Sequence, residues 1–190
     1  MRFQAKNKII VVALAIAVGL GVPAVAAAEQ TSVLGDSERR EQMPERARPE
    51  TFHPVVGQFD YGTAENAFGA ARSGHVHAGH DIFSRQGTPL VAPADGVVVE
   101  SGVDGGRGNY LSIYDRKRDL TYNYFHLAEP ALQAARAKVD AGQRVGSMGC
   151  TGSCWGIHLH FEVRNGSDPY GAATDPLPLL QKWKRLDKPL

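Results

Sequence analysis

The sequence predicts a mainly β domain, in which an antiparallel sheet forms an open, barrel-like structure with one short helix. Glycines at close spacing punctuate residues 57–108, and short runs of β-branched and aromatic residues lie between and after them. Short strands separated by such turn signals are typical of antiparallel sheets and barrels. The clearest runs are residues 97–99, 109–114 and 120–127. One helix is predicted at residues 130–138, PALQAARAK, which begins with a proline and ends with a lysine.

Length and composition fit one ordinary globular domain with extensions. The chain has 190 residues, of which 43% are hydrophobic and 22% are charged, and such values are normal for a domain with a real core. The formal net charge of +1 gives no sign of the strong local basicity that is typical of nucleic-acid binding. We therefore expect no nucleic-acid partner.

The N-terminus predicts export from the cytoplasm. Three basic residues precede an apolar run at residues 9–20, and the small-residue tract AVAAA follows at residues 24–28. This order is typical of a secretory signal peptide, which we assign to residues 1–28. The apolar run is shorter than the about 20 residues that cross a membrane, but an uncleaved N-terminal anchor stays open as an alternative. We expect a secreted or cell-envelope protein that contacts a membrane only if this segment is uncleaved.

Two further segments are predicted to lie outside the compact domain. Residues 29–50 are polar and charged with little apolar periodicity, which predicts a linker. Residues 182–190 are predicted to form a basic C-terminal tail that packs on the domain, in part through Trp183. Its lysines and arginine favour a solvated tail over a contact with anionic polymers.

A histidine-rich strand is predicted near the C-terminus. Apolar residues at the odd positions from 157 to 163 alternate with His158, His160 and Glu162. Successive side chains on a strand point to opposite faces, so both imidazoles share one face. A metal site, with one histidine as ligand and the other as proton carrier, would use such a pair. The alternative for the histidine pair is an exposed strand face that happens to be rich in histidine. For Glu162, a carboxylate that orients an imidazole and a solvated carboxylate both stay open.

A second histidine-rich segment contains a carboxylate. His75, His77, His80 and Asp81 fall within seven residues, and zinc binds neutral imidazole nitrogen and carboxylate oxygen. An extended backbone would place His75, His77 and Asp81 on one face and His80 on the other, while Gly79 would allow a close backbone approach. A solvated histidine-rich loop is the alternative.

A third segment adds one more imidazole. Strand alternation predicts that Tyr122, Tyr124 and His126 share a face. Six of the seven histidines of the chain lie in these three segments. Two histidines, one aspartate and an open coordination position are typical of a catalytic zinc site, whereas a structural site is closed by four protein ligands.

Together these segments resemble the signature segments of the lysostaphin-type (LytM-like) zinc peptidases. The matching segments are HAGHD at residues 77–81, YFHL at 124–127 and GIHLHFE at 156–162. Intervening segments match as well, namely GTPLVAPADGVV at 87–98, GQRVG at 142–146 and GCTG at 149–152. Because the order and spacing of several segments agree over about residues 52–163, the combined signal is much stronger than any single motif.

The resemblance implies a largely antiparallel sheet that forms the floor of a groove. It also implies one Zn²⁺ per chain, held by His77, Asp81 and His160, with His126 and His158 as catalytic histidines beside the metal. The zinc peptidase-like domain would span residues 51–181. Two departures from the family pattern are His80, at a position that is commonly apolar, and the additional imidazole of His75.

The function that the resemblance implies is zinc-dependent hydrolysis of peptide bonds in bacterial peptidoglycan, for remodelling or lysis of the cell wall. The substrate partner would be a peptidoglycan peptide, and a regulatory protein partner stays open. The alternative function is a non-catalytic regulator or activator of another cell-wall hydrolase on the same scaffold. An extracellular metal-sequestering protein is a weaker alternative, because it would leave the match to the β scaffold of the peptidase family unexplained.

The two cysteines lie four positions apart in a glycine-rich turn. In an exported protein, Cys150 and Cys154 are expected to form a disulfide. Such a small ring would rigidify the turn that leads into the strand of His158 and His160. The alternative, two thiolates that complete a zinc site, would close the open position that catalysis needs.

Overall fold

The computed structural model describes residues 51–190. The predicted signal peptide at residues 1–28 and the predicted linker at 29–50 lie outside the described residues. The elements of the described part are a 3-10 turn at Ala64–Asn66, one short helix, α1, at Leu177–Leu180, and eleven strands: β1 Ala71–Arg72, β2 His75–Val76, β3 His80–Phe83, β4 Pro89–Val91, β5 Gly96–Asp104, β6 Gly108–Asp115, β7 Leu120–Leu127, β8 Lys138–Val139, β9 Arg144–Ser147, β10 His158–Asn165 and β11 Ala173–Thr174.

Most strands belong to one open antiparallel sheet. Its order is β11-β10-β7-β6-β5-β8, and β3 pairs with β10 on the same side as β11. Two small antiparallel ribbons, β1-β2 and β4-β9, accompany it. The predicted fold class, a mainly β domain with an open antiparallel sheet and one short helix, is confirmed. In the described part of the chain, no helix is long and apolar enough to cross a membrane.

One face of the sheet carries the hydrophobic core. The alternation in β10 buries Leu159, Phe161 and Val163 completely, because side chains at every second position share a face. Tyr122 and Tyr124 of β7 lie in the same cluster. Burial of a large apolar side chain contributes about 1.5–3 kcal/mol, so this row is a main source of the domain's stability.

Residues 182–190, predicted as a basic tail, lie against the domain. Trp183 is buried in the core, as predicted, and its ring packs edge-on against Tyr122 at a centroid distance of 5.6 Å. The backbone of the segment is also bound, since the amides of His53 and Gly57 donate to the carbonyls of Lys184 and Leu186 at 2.9 and 2.8 Å. The domain boundaries themselves stay predictions.

The helix predicted at residues 130–138 is wrong. The chain forms turns there, and Arg136 has a left-handed φ of 71°, which interrupts an α-helix. This segment pairs with the edge of β5 instead. The Arg136 amide donates to the Val98 carbonyl at 2.7 Å, and the Val98 amide donates to the Ala137 carbonyl at 2.9 Å. A nine-residue helix is marginal by itself, so pairing with the sheet edge overrides the local helix propensity.

Candidate metal centre and active site

Strand pairing places the predicted metal ligands on one face of the sheet. His160 of β10 is the register partner of Asp81 of β3, and paired residues in adjacent strands point to the same side. The odd positions of β10 enter the core, so His158, His160 and Glu162 face the opposite side. His77 precedes β3 and is also buried. The predicted site therefore forms on the face of the sheet that is turned away from the core.

Three ligand atoms converge at one point. His77 Nε2 lies 3.0 Å from Asp81 Oδ1 and 2.9 Å from His160 Nδ1, and the last two atoms are 3.0 Å apart. These residues form the one cluster of three or more candidate ligands among the described residues that could hold a metal ion. Tetrahedral zinc with bonds of about 2.0–2.1 Å separates its ligand atoms by about 3.3 Å, so a small adjustment would accommodate the ion.

The protonation of both imidazoles follows from their outward hydrogen bonds. His77 Nδ1–H donates to the Ala67 carbonyl at 2.8 Å, and His160 Nε2–H donates to Glu162 Oε1 at 3.1 Å. In neutral imidazoles the inward nitrogens, His77 Nε2 and His160 Nδ1, then carry lone pairs. With the carboxylate oxygen of Asp81, three lone pairs meet within 3.0 Å. Three such groups repel one another unless a cation lies between them, so the donor set fits a metal ion.

The pKa values of the cluster show the same need for positive charge. Burial lowers the pKa of His160, but the carboxylates of Asp81 and Glu162 outweigh it, and the net shift is upward. Burial raises the pKa of Asp81, but hydrogen bonds from His160 and His77 hold it well below its usual range. In the absence of a metal, a proton on an imidazole would supply the positive charge that a metal ion otherwise provides.

Further contacts surround the cluster and were missed by the sequence analysis. Arg72 Nη2 donates to Asp81 Oδ2 at 3.2 Å, which leaves Oδ1 for the cluster. Glu162 is 3% exposed, and its Oε2 accepts hydrogen bonds from Asn123 at 2.8 Å and from Arg164 at 2.9 Å. Of the two alternatives for Glu162, the structure therefore supports the carboxylate that orients an imidazole.

The prediction that Tyr122, Tyr124 and His126 share a face is wrong. His126 has a left-handed φ of 64°, and the register between β6 and β7 shifts at this point, so that Phe125 and His126 together lie opposite Tyr110. This is a β-bulge, which re-aims the extra residue. His126 consequently leaves the core face, and its ring centroid lies 4.9 Å from that of His158.

Both predicted catalytic histidines lie beside the cluster as neutral rings. His126 Nδ1–H donates to the Thr151 carbonyl at 2.8 Å, and His158 Nδ1–H donates to the Gly156 carbonyl at 2.7 Å. Burial lowers the pKa of His126 to about 4 and also lowers the pKa of His158. Each Nε2 therefore has a free lone pair at neutral pH, and that of His158 lies 3.6 Å from Asp81 Oδ1.

The two other histidines of the first motif lie outside the cluster. His75 is exposed, and its Nδ1–H donates to the Ser73 carbonyl at 3.2 Å. His80 is buried on the opposite side of β3, as alternation predicts, and its Nε2–H donates to the Tyr61 carbonyl at 3.2 Å. Neither imidazole competes for the metal position.

The predicted disulfide between Cys150 and Cys154 is confirmed. Because both sulfurs are bonded to each other, the alternative of two cysteine thiolates as metal ligands does not apply. The loop that contains the disulfide leads directly into β10, the strand of His158 and His160.

An open antiparallel sheet with a buried His–Asp–His cluster and two neutral histidines beside it has the architecture of a metal-dependent hydrolase. The chain belongs to peptidase family M23, whose family model matches residues 75–176, more than half of the sequence. The resemblance to the lysostaphin-type zinc peptidases is thereby confirmed.

Two curated relatives are similar to this chain in sequence. The DD-carboxypeptidase/endopeptidase Mpg of Neisseria meningitidis serogroup B is 38% identical over 103 residues, which cover 54% of this chain and 23% of Mpg. The peptidoglycan DD-endopeptidase ShyC of Vibrio cholerae is 33% identical over 133 residues, which cover 70% of this chain and 27% of ShyC. The chain therefore spans only about a quarter of the length of these relatives.

The catalytic domain of the antimicrobial peptidase lysostaphin from Staphylococcus simulans is similar in structure. Its TM-score is 0.57 at 30% sequence identity, and the match covers 66% of this chain and 92% of that domain. The similarity thus extends over nearly the whole of a solved catalytic domain.

Proposed function

We propose that this chain is an exported zinc metalloendopeptidase that hydrolyses peptide bonds in bacterial peptidoglycan. The observation that carries the proposal is the convergence of three lone pairs, on His77, Asp81 and His160, within 3.0 Å of one another. The names of the relatives support the substrate class, since Mpg and ShyC are both named as endopeptidases and the name of ShyC specifies peptidoglycan. Export follows from the signal peptide predicted at residues 1–28.

His77, Asp81 and His160 would hold one Zn²⁺ per chain. A bound zinc ion supplies a Lewis acid that polarises the scissile carbonyl and makes hydroxide available at neutral pH. Around it, the Ala67 carbonyl and the Glu162 carboxylate fix the imidazole tautomers, and such outward hydrogen bonds raise the basicity of the ligand nitrogens.

His126 and His158 would move the protons of the reaction. Each ring has its Nδ1–H fixed on a backbone carbonyl, so each Nε2 can accept the proton of the attacking water. Once protonated at Nε2, an imidazole can donate to the developing oxyanion or to the leaving amine. Two neighbouring rings allow one histidine to act on the water while the other acts on the carbonyl oxygen or the leaving group.

The test measures zinc content and the release of new amino groups from purified peptidoglycan on the same preparations. Unchanged protein should contain one zinc per chain and release amino groups in a chelator-sensitive way. His160→Ala should lose both zinc and activity, because one of three ligands is removed. His126→Ala should keep zinc and lose activity by about 10²-fold or more, as expected for a missing general acid–base.

A matched control is His75→Ala, which removes an exposed imidazole outside the cluster and should change neither quantity. Stoichiometric zinc without amino-group release from several wall types would favour the alternative, a regulator or activator of another cell-wall hydrolase. Folded protein without stoichiometric zinc would overturn the assignment of His77, Asp81 and His160.

A further inference from the structure

One loop holds the outward nitrogens of both histidines that flank the candidate metal centre. This segment, residues 148–157 between β9 and β10, is called the disulfide loop below. Its Thr151 carbonyl accepts the Nδ1–H of His126 at 2.8 Å, and its Gly156 carbonyl accepts the Nδ1–H of His158 at 2.7 Å. The two rings come from adjacent strands, β7 and β10, and the disulfide loop supplies the hydrogen-bond acceptor of each.

Beyond Met148, which is buried in the core, the disulfide loop has little apolar packing. Glycines occupy positions 149, 152 and 156, and Trp155 is 77% exposed. Glycine loses more conformational freedom on folding than any other residue, so a glycine-rich exposed loop is expected to sample many conformations. The disulfide between Cys150 and Cys154 closes a ring of residues 150–154, which contains Thr151 and ends two residues before Gly156, and restricts that freedom.

The N-terminal half of the disulfide loop is anchored to neighbouring strands. Thr151 Oγ1 donates to the Leu127 carbonyl at 2.8 Å and accepts from the Asn109 amide at 2.9 Å, while the Ser153 amide donates to the Gly106 carbonyl at 2.9 Å. The C-terminal half meets the disulfide itself, because Cys154 Sγ lies 2.8 Å from the Gly156 carbonyl oxygen and 3.8 Å from His158 Nδ1. The disulfide therefore bears directly on the carbonyl that orients His158.

The metal ligands are held by other parts of the chain. His77 binds Ala67, His160 binds Glu162 and Asp81 binds Arg72. None of these supporting groups belongs to the disulfide loop, so the geometry of the metal centre and the orientation of the two flanking histidines have separate structural origins.

We propose that the Cys150–Cys154 disulfide is a positioning element for catalysis: it holds the Gly156 carbonyl where it fixes the tautomer and ring orientation of His158. The proposal rests on the proposed function for its consequence in turnover, but its structural content is independent of any substrate. Loss of the disulfide releases the His158 ring from its carbonyl, while His126 and the metal ligands stay in place.

The test is the double variant Cys150→Ser/Cys154→Ser, prepared as the same zinc-loaded chain as the unchanged protein. Nitrogen-15 spectra of the histidine rings at neutral pH report the tautomers directly. In the unchanged protein, His126 and His158 should each show a single Nδ1–H tautomer. In the double variant His158 should become a mixture, whereas His126 should keep its tautomer because Thr151 stays bound to Leu127 and Asn109. Zinc content should stay at one per chain. With peptidoglycan, kcat should fall by about 10- to 100-fold, the usual cost of losing an orienting contact, with a much smaller change in KM.

Thr151→Ala is the matched control within the disulfide loop. It removes the hydroxyl that anchors the Thr151 carbonyl and keeps the disulfide, so it should disturb the tautomer of His126 and leave that of His158 unchanged. If the double variant does not fold, the same spectra are recorded on folded, zinc-loaded protein after reduction with a phosphine and alkylation of both thiols, which keeps the free cysteines from binding zinc.

A single Nδ1–H tautomer for His158 after loss of the disulfide would overturn the proposal. Loss of zinc in a folded variant would also contradict it, because the disulfide would then support the metal centre as a whole. If the unchanged protein releases no amino groups, the proposed function fails, but the tautomer still decides whether the disulfide positions the His158 ring.

Discussion

The two histidines of the candidate metal centre present different nitrogens to the same point. His77 uses Nε2 because its Nδ1–H donates to the Ala67 carbonyl, whereas His160 uses Nδ1 because its Nε2–H donates to Glu162. The local backbone decides which nitrogen is turned outward, and the outward partner then fixes the proton. At this scale, the supporting carboxylate of Glu162 is as much a part of the candidate metal centre as His160, the candidate ligand that it contacts.

Replacing Glu162 by glutamine should weaken zinc binding by about 10- to 100-fold. The amide keeps the size of the side chain but removes the charge that raises the basicity of His160, and it brings an NH₂ group to face Asn123 or Arg164. Competition with a chromophoric chelator measures the affinity. Glu65→Gln, at an exposed site in the 3-10 turn, is the control and should bind zinc as the unchanged protein does. Equal affinities for all three proteins would show that Glu162 does not tune the site.

The positions of His158, His160 and Glu162 could be predicted from the sequence, because a period of two assigns them to one strand face. The partners Ala67, Thr151 and Gly156 could not, since a backbone carbonyl leaves no side-chain signature. The contact of Arg72 with Asp81 depends on how the β1-β2 ribbon lies against β3, which is a matter of tertiary structure.

At the scale of elements, two local departures from regular structure complete the site. The bulge in β7 brings His126 to the face of the metal cluster, and the alternation rule fails there because it assumes an unbroken ladder. The close approach of residues 77–81 to β10 is the other departure, and Gly79 lies at its centre. A β-carbon built at Gly79 would lie 2.5 Å from the Phe161 carbonyl oxygen and 2.9 Å from His160 Nε2.

Gly79→Ala should therefore push the first motif away from β10, lower the free energy of unfolding by about 1–3 kcal/mol and reduce the zinc content. The new methyl group meets a backbone carbonyl, which cannot move aside without shifting the strand. Urea unfolding and metal analysis measure the two effects. Gly105→Ala is the control, because a β-carbon there meets nothing within 4 Å and the φ of Gly105 is not in the left-handed region. A fully loaded Gly79→Ala protein of normal stability would refute the close-packing argument.

The long strands could be predicted from the sequence, whereas the helical segments could not. β6, β7 and β10 were predictable because their own residues alternate or favour strands over about eight positions. The helix predicted at residues 130–138 failed because the edge of β5 offers hydrogen bonds that the local sequence does not reveal. The helix that does form, α1, has only four residues and contains a proline in its first turn, too short a segment for periodicity to indicate.

For the domain as a whole, the first and last described segments meet beside the sheet around a buried histidine. The His53 ring stacks on Phe59 at a centroid distance of 3.9 Å, and its backbone amide donates to the Lys184 carbonyl at 2.9 Å. His53 Nδ1 accepts from the Val55 amide at 3.2 Å. This histidine lies outside all the motifs, and its role is to join the two ends of the described chain.

Burial lowers the pKa of His53 to about 4, although donation from a protonated Nδ1 to the Val55 carbonyl, 3.1 Å away, acts in the opposite direction. The unfolded chain takes up a proton at His53 as the pH falls through about 6.5, whereas the folded protein does so only near pH 4. His53 therefore makes the folded state lose stability as the pH falls through this window. One pKa unit corresponds to about 1.4 kcal/mol, so between pH 6.5 and 4.5 the expected loss from His53 is about 2 kcal/mol.

The variant His53→Asn isolates this contribution, because its side-chain oxygen can accept from the Val55 amide but does not titrate. Urea unfolding of both proteins at pH 6.5 and 4.5 gives four free energies of unfolding. The fall between the two pH values should be about 2 kcal/mol larger for the unchanged protein, since the metal cluster and the other titrating groups contribute equally to both. The absolute stability of the variant is lower at pH 6.5 through lost stacking on Phe59, and this offset cancels in the comparison. Equal falls in the two proteins would show that His53 is protonated at its ordinary pKa in the folded domain.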